Sequence, residues 1–408
     1  MRRALKNVGG PTKTRGEPRA AEVAKRAWEA AAAEDADVLT HGFHSWPARM
    51  HYAIAREILA SAKGANSVLD PFCGGGTVLV EARVADKVSY GIDLSPLAVR
   101  LAEVRSDPRD AARRARFVRA AEAVAEASEA RVRGRVPIRV DLPPAEVARY
   151  SPHVLKELGG LREEIRGWAE PEDRRPLALV LSSILVKVSR QRADTSDREV
   201  ERRIRKGLST ELFLRKAHEL AARWEALEEV ARGPLPEITE GDALRAGLTL
   251  GRRRVDLILT SPPYGGTYDY ADHHARRVAF LELDDRKLRR FELGSRRALG
   301  DRHDAARVWD RQVDAMLEEM ERVLSESGRI ALVMGDAKLG RDVVRADEQL
   351  ERLAPQHGLG VDAIASQPRT DWQGGEDRAE HIILLSRRDP IRGRPSWASR
   401  RGRRPTSR

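Results

Sequence analysis

The chain has 408 residues, with 74 Lys and Arg against 63 Asp and Glu, a formal charge of +11 and 41% hydrophobic content. That length accommodates two or three domains or one large α/β core with insertions, and the composition excludes wholly disordered, collagen-like and membrane-embedded chains. The single cysteine, Cys73, excludes an intrachain disulfide framework and a multi-cysteine zinc or iron–sulfur site, and the positive excess favours a polyanionic partner.

In chain order, residues 1–37 are expected to form a basic N-terminal arm, because the first twenty are rich in Arg, Lys, Gly and Pro and suit phosphate contact or a solubilising surface. The start lacks the apolar run of a secretory signal, and no stretch approaches about 18 consecutive apolar residues. No membrane association and a cytoplasmic location are therefore expected. Short apolar runs bounded by Gly or Pro lie at 67–71 (SVLDP), 89–93 (SYGID), 255–260 (VDLILT), 329–335 (RIALVMG) and 380–385 (EHIILL). They predict the strands of a buried, mostly parallel sheet with helices on both faces, an α/β fold. After the second run, Ser95 is placed as a helix N-cap and Pro96 at the first helical position.

From 105 to 240 the pattern turns to long charged helical stretches, in which Phe213, Ala217, Leu220, Trp224 and Leu227 step by four, three, four and three. This block is expected to be a helical insertion that interrupts the sheet domain and carries target recognition. Within it, Lys187, Arg190, Gln191, Arg192, Arg202 and Arg203 cluster beside a polar turn, which suits phosphate and base-edge contacts or an ordinary solvated surface. The end, 387–408, holds nine arginines against one aspartate and is expected to be a basic disordered tail.

Two segments carry the chemistry. In VLDPFCGGGT (68–77) a strand ends at Asp70, and the chain turns through Gly74, Gly75 and Gly76 into a helix. Glycines there let a ligand approach backbone amides, and the carboxylate can accept from an ammonium or hydroxyl. No Lys follows the glycines, which excludes a triphosphate cradle. A second acid, Asp93, stands at the next strand end, where it can take both ribose hydroxyls of an adenosine-containing cofactor, a dinucleotide included. In ILTSPPYGGTYDY (258–270), Pro262 and Pro263 stiffen a strand end and fix the Pro262 carbonyl and the Ser261 hydroxyl. Tyr264 is expected to offer an aromatic face to an extruded base. Cys73 reads as packing. The adjacent His273 and His274 do not converge on one metal, so they read as surface or base-contacting groups and no metal site is expected.

DPFCGGGT followed by TSPPY resembles the two signature motifs of S-adenosylmethionine-dependent DNA amino-methyltransferases, the N4-cytosine and N6-adenine group, and the leading serine looks like the N4-cytosine branch. The resemblance covers roughly 38–104 and 238–386 and implies a Rossmann-like class I methyltransferase domain in two parts, 38–104 and 241–386. It implies that Asp70, Phe72, Gly74 and Gly76 surround the methionine part of S-adenosylmethionine, that Asp93 binds its ribose, and that Asp242 lies near its adenine ring. It also implies that Ser261, Pro262, Pro263 and Tyr264 form the target-base pocket, and that HGFHSWPARMHYAIAREIL (41–59) closes over the cofactor with His44, Pro47 and Arg49 near it. Double-stranded DNA is the implied substrate, and a restriction endonuclease encoded nearby is a candidate partner. The long insertion departs from the usual short connection. An N6-adenine enzyme, an RNA guanine-N2 methyltransferase, or a non-catalytic nucleic-acid-binding protein are the alternatives.

Overall fold

The computed structural model describes residues 10–138, 140–192, 198–300, 302–369, 378–388 and Trp397. The described strands are β1 (Lys13–Gly16), β2 (Ser67–Asp70), β3 (Val88–Asp93), β4 (Glu237–Glu240), β5 (Val255–Thr260), β6 (Leu324–Gly335), β7 (Ala337–Leu339), β8 (Asp342–Val344), β9 (Leu359–Arg369) and β10 (Arg378–Arg387). Eight form one sheet in the order β1-β9-β10-β6-β5-β2-β3-β4, and β7 pairs with β8 in a separate hairpin. From β4 through β3, β2 and β5 to β6 every pairing is parallel. β10 inserts antiparallel between β6 and β9, and β1 closes the far edge antiparallel to β9.

The helices are α1 (Pro18–Ala33), α2 (Tyr52–Ser61), α3 (Thr77–Val84), α4 (Pro96–Ser106), α5 (Ala111–Arg133), α6 (Pro144–Val147), α7 (Pro152–Gly167), α8 (Pro171–Ile184) and α9 (Leu208–Val230), then α10 (Ala246–Leu250), α11 (Tyr270–Phe280), α12 (Arg286–Phe291), α13 (Arg296–Leu299), α14 (Ala305–Val323) and α15 (Ala346–Leu353). Because successive strand side chains point to opposite faces, β5 sends Leu257 and Leu259 into the core shared with α1 and α2, and Ile258 into the core shared with α14 and α15; Val255 joins Ile258 there because the register shifts between Val255 and Leu257. In β10, Ile382 and Leu384 alternate with Ile383 and Leu385 in the same way. The sheet is thus covered on both faces, the α/β architecture expected, with helices inserted between its strands.

The insertion has its own core. Phe213, Ala217, Leu220, Trp224 and Leu227 of α9 are all buried, joined by apolar residues of α5, α7 and α8 and by Leu97, Leu101 and Val104 of α4. The Trp224 indole N–H donates to the Val104 carbonyl at 2.7 Å, so the helical block is packed onto the first α/β unit. Its boundary differs slightly from the expected 240, since β4 at 237–240 already pairs with β3.

The expected basic N-terminal arm needs correction. β1 pairs with β9, and α1 buries Ala20, Val23, Ala24, Ala27 and Trp28 on the sheet. The Trp28 indole N–H donates to the Ala365 carbonyl at 3.0 Å. The stripe that does this is mostly alanine, a weak hydrophobic signal beside strong charge. Residues 1–9 and most of 387–408 lie outside the described residues. Arg387, however, closes β10, and Trp397 is buried with its indole N–H on Asp362 at 3.1 Å.

Candidate functional site

A cavity open to solvent lies at the carboxyl ends of β2, β3 and β5. This is where an open parallel sheet leaves a crevice for a ligand. Its walls come from four stretches that the motifs brought forward, Asp70–Gly75, Asp93–Ser95, Asp242–Leu244 and Ser261 with Pro263, and from others that they did not.

The glycine turn is built for close approach. Gly74 has φ +47°, and a Cβ there would lie 2.9 Å from the indole nitrogen of Trp46, so glycine lets the Trp46 ring lie on the turn. Trp46 is stacked at 4.3 Å on His274 of α11. His274 is fully buried, neither ring nitrogen has a hydrogen-bond partner, and burial pushes its pKa well down, so it is neutral. This corrects the surface or base-contacting role expected for His274. Gly76, with φ +79°, caps α3 and does not line the cavity; a Cβ would come within 2.8 Å of the Ala102 Cα, so it serves the packing of α3 on α4. Buried Arg105 joins the turn to the N-terminal segment, donating to the carbonyls of Gly75 at 2.9 Å and of His44 at 2.5 Å.

Each acid at the mouth is held by the local backbone. Asp70 Oδ1 accepts from Thr260 Oγ1 at 2.6 Å and from the Phe72 amide at 3.2 Å, which leaves Oδ2 as an acceptor. Asp93 takes the Gly74 amide on Oδ2 and the Ser95 amide on Oδ1, each at 2.8 Å. Every carboxylate oxygen has two lone pairs, so one acceptor position remains on each Asp93 oxygen. Burial raises the Asp70 pKa to about 7 and that of Asp93 to about 6; the bonds from Thr260, Phe72, Ser95 and Gly74 oppose the rise. Asp242 caps a short turn through the Leu244 amide at 2.9 Å and lines the cavity with Ala243 and Leu244.

The N-terminal segment divides. Arg49 lines the cavity, but its guanidinium is committed to Asp37 at 2.6 Å and to the carbonyls of Ala36 and His41. His44 and Pro47 do not line it. The buried His44 ring bridges the Ser45 carbonyl and the Ser182 hydroxyl of α8, so it ties this segment to the insertion.

In the SPPY loop after β5, Ser261 and Pro263 face the cavity, and Pro262 is buried behind them. Tyr264 corrects an expectation. Its ring is buried between Gly335, where a Cβ would be 2.8 Å from two ring carbons, and the Arg369 guanidinium, 5.4 Å from the ring centroid, so it has no free face for a base. Aromatic lining comes instead from Trp46, Phe72, Tyr270 and Phe291. Phe291, at the end of α12, is 49% exposed. Glu292 also lines the cavity, and burial raises its pKa to about 7. α12 carries Lys287 and Arg290, both exposed, beside the lining residues Leu288 and Phe291. No motif pointed to α12; its only signal was a basic run, RKLRRF, after the SPPY loop.

Of the basic cluster in the insertion, none lines the cavity. Gln191 is buried and accepts from Arg276. Arg202 donates to the carbonyls of Val186, Lys187 and Arg192, which makes it a clasp within its own loop. Arg190 donates to the Ala148 carbonyl at 3.4 Å, and the side chains of Lys187, Arg192 and Arg203 are exposed. Away from the cavity, Asp336, Asp347 and His381 bring ligand-type atoms within 4.8 Å of one another. Asp336 there already accepts from the Ala346 and Ala379 amides, Arg345 and His381, which makes a hydrogen-bonded clasp between β6 and β10.

No known family profile matches the chain. It is 23% identical over 263 residues, 55% of its length, to the type II methyltransferase M.BsoBI of Geobacillus stearothermophilus, of which it covers 48%. It is 32% identical over 74 residues to the type II methyltransferase M.MvaI of Kocuria varians, of which it covers 16%. The chain thus spans about half the length of the first of these relatives and far less of the second. Among solved structures it is similar to TrmN from Thermus thermophilus, at 13% identity and a TM-score of 0.31 over 83% of this chain and 49% of that one. It is similar also to the rRNA methyltransferase AviRa from Streptomyces viridochromogenes, with the same identity and TM-score over 84% of this chain and 88% of that one. The α/β sheet with helical insertions has the strand order of the class I methyltransferase fold, and the chain is similar over part of its length to two type II methyltransferases.

Proposed function

We propose that this chain transfers a methyl group from S-adenosylmethionine to an exocyclic amino nitrogen of a nucleic-acid base. The observation that carries the reading is one cavity whose wall joins the glycine turn, both strand-end acids and Ser261. The residues fit the cofactor: a turn with room for no side chain at Gly74, a spare acceptor on Asp70 for an ammonium, and one remaining acceptor on each Asp93 oxygen for two ribose hydroxyls. Asp242 to Leu244 supply an adenine-side wall. Bound there, S-adenosylmethionine supplies an electrophilic methyl group on a sulfonium, and the protein's part is alignment.

Ser261 accepts a hydrogen bond from the amine and orients its lone pair, while Pro263 and the half-exposed ring of Phe291 hold the base plane. The leading serine of the SPPY loop, within the resemblance to DNA amino-methyltransferases, favours N4 of cytosine in DNA. N6 of adenine in DNA and N2 of guanine in RNA would use the same residues. Ser261→Ala tests the assignment. It should lower turnover at least about 100-fold while S-adenosylmethionine affinity by titration calorimetry stays within about twofold. Unchanged turnover removes Ser261 from the mechanism.

A further inference from the structure

We propose that Glu380, on β10 behind the cavity wall, sets the polarity of the Ser261 hydroxyl through Tyr264 and receives the proton that the target amine sheds. This rests on the amino-methyltransferase reading above. Tyr264 Oη donates to Glu380 Oε1 at 2.5 Å, and Ser261 Oγ lies 3.4 Å from Tyr264 Oη. An ionised carboxylate only accepts, and a tyrosine has one hydroxyl proton. Once that proton points at Glu380, the contact between the two hydroxyls can form only with Ser261 donating. Ser261 Oγ is left with lone pairs alone, which is the state needed to accept an amine N–H. The carboxylate thus dictates, two residues away, which way the serine faces.

Position agrees with this direction. Ser261 lines the cavity while Tyr264 and Glu380 do not, so the chain of hydroxyls leads from the wall inward. Tyr264 is held by its seat between Gly335 and the Arg369 guanidinium. The groups facing Glu380 are Tyr264 from the loop after β5, Arg369 from β9, and the neighbouring His381. Burial raises the Glu380 pKa, which favours its taking up a proton, and the Arg369 charge and Tyr264 hydroxyl oppose that rise. As the nitrogen lone pair forms the bond to the methyl carbon, the carbon–sulfur pair leaves with sulfur and the nitrogen carries one proton too many. That proton passes to Ser261 Oγ, the Ser261 proton to Tyr264 Oη, and the Tyr264 proton to Glu380, which ends neutral. Charge and atoms balance without any further reactant.

The test compares the full-length chain with Glu380→Gln and Glu380→Ala, using labelled S-adenosylmethionine and unmodified genomic DNA and total RNA. Glutamine keeps an acceptor for Tyr264 but takes no proton. The expected result is a fall in kcat of about 10- to 100-fold in Glu380→Gln, a larger fall in Glu380→Ala, and a KM for nucleic acid and a cofactor Kd within about twofold of wild type. A second readout needs no turnover. In protein labelled at tyrosine Cζ, the Tyr264 resonance, identified by its loss in Tyr264→Phe, should shift in Glu380→Gln. If Glu380→Ala does not fold, Glu380→Gln carries the comparison. Wild-type turnover with unchanged kcat in the variants, or an unmoved Tyr264 resonance, overturns the Glu380 role and leaves the methyltransferase reading standing. No methylated nucleoside from the wild-type chain overturns both.

Discussion

Asp70 and Asp93 illustrate what a single residue owes to its surroundings. Burial raises their pKa values to about 7 and about 6, against about 3.8 in an unfolded chain. The sign for stability follows: as pH rises from about 4 to about 7 the unfolded chain ionises these groups first, so the ligand-free fold loses stability over that window. The sign for binding is opposite, because a cationic cofactor needs the ionised acids. S-adenosylmethionine affinity should rise between pH 5 and pH 8, about tenfold or more, and protons should be released on binding near pH 6. Calorimetry in buffers of different ionisation enthalpy measures both; affinity flat across this range would detach the acids from the ligand. At Gly74, alanine would be strained by the positive φ and would press on Trp46, so Gly74→Ala should weaken cofactor binding at least about tenfold with little loss of Tm. These residues were legible in the sequence because a strand end, a glycine run and a second acid are local patterns. Arg105, Trp46, Phe291 and Glu380 were not, since each reaches the site across tertiary structure: Arg105 bonds to Gly75 thirty positions away, and Glu380 to Tyr264 across 116.

At the scale of elements, the sheet strands with uninterrupted apolar runs were legible, as were the α4 cap and the α9 stripe. Ser95 does accept from the Ala98 amide, at 3.3 Å. β1, β4 and β9 were not: β1 is KTRG with every residue exposed, β4 is EITE at the sheet edge, and β9 mixes Asp362, Ser366 and Gln367 with its apolar residues. Such strands exist because a neighbour needs its backbone groups paired. α1 is the clearest case, and Trp28→Ala should cost about 3–5 kcal/mol in denaturant unfolding, as expected for a fully buried tryptophan. A loss below about 1 kcal/mol would restore the reading of 1–37 as a loose arm. For nucleic acid, α12 and the insertion make competing claims. α12 places Lys287 and Arg290 beside the cavity, whereas Arg202 and Gln191 of the insertion are bonded within the protein. Reversing Lys287 and Arg290 to glutamate should weaken DNA binding and lower the magnitude of its log–log salt slope by about 2. Arg202→Ala should leave that slope unchanged.

At the scale of the whole molecule, the proposed function joins a charge of +11 to an open cavity at the carboxyl edge of the sheet: on that reading the charge would bring a polyanion near and the cavity would admit one base. The helical block shares a core with α4, which follows the strand ending in Asp93, and its α8 meets His44 at Ser182. Movement in the insertion therefore has a physical route to the segment beside the glycine turn. What no arrangement of charge supplies is the identity of the base, and that is read most directly in the product. Transfer of a labelled methyl group to separate DNA and RNA pools, followed by nucleoside mass spectrometry, should yield a methylated exocyclic amine, N4-methylcytosine in DNA foremost. N6-methyladenosine or N2-methylguanosine would change the base and keep the mechanism. Label on a ring carbon or a ribose oxygen, or no label in either pool from a chain that binds S-adenosylmethionine, would contradict amino-group transfer from this site.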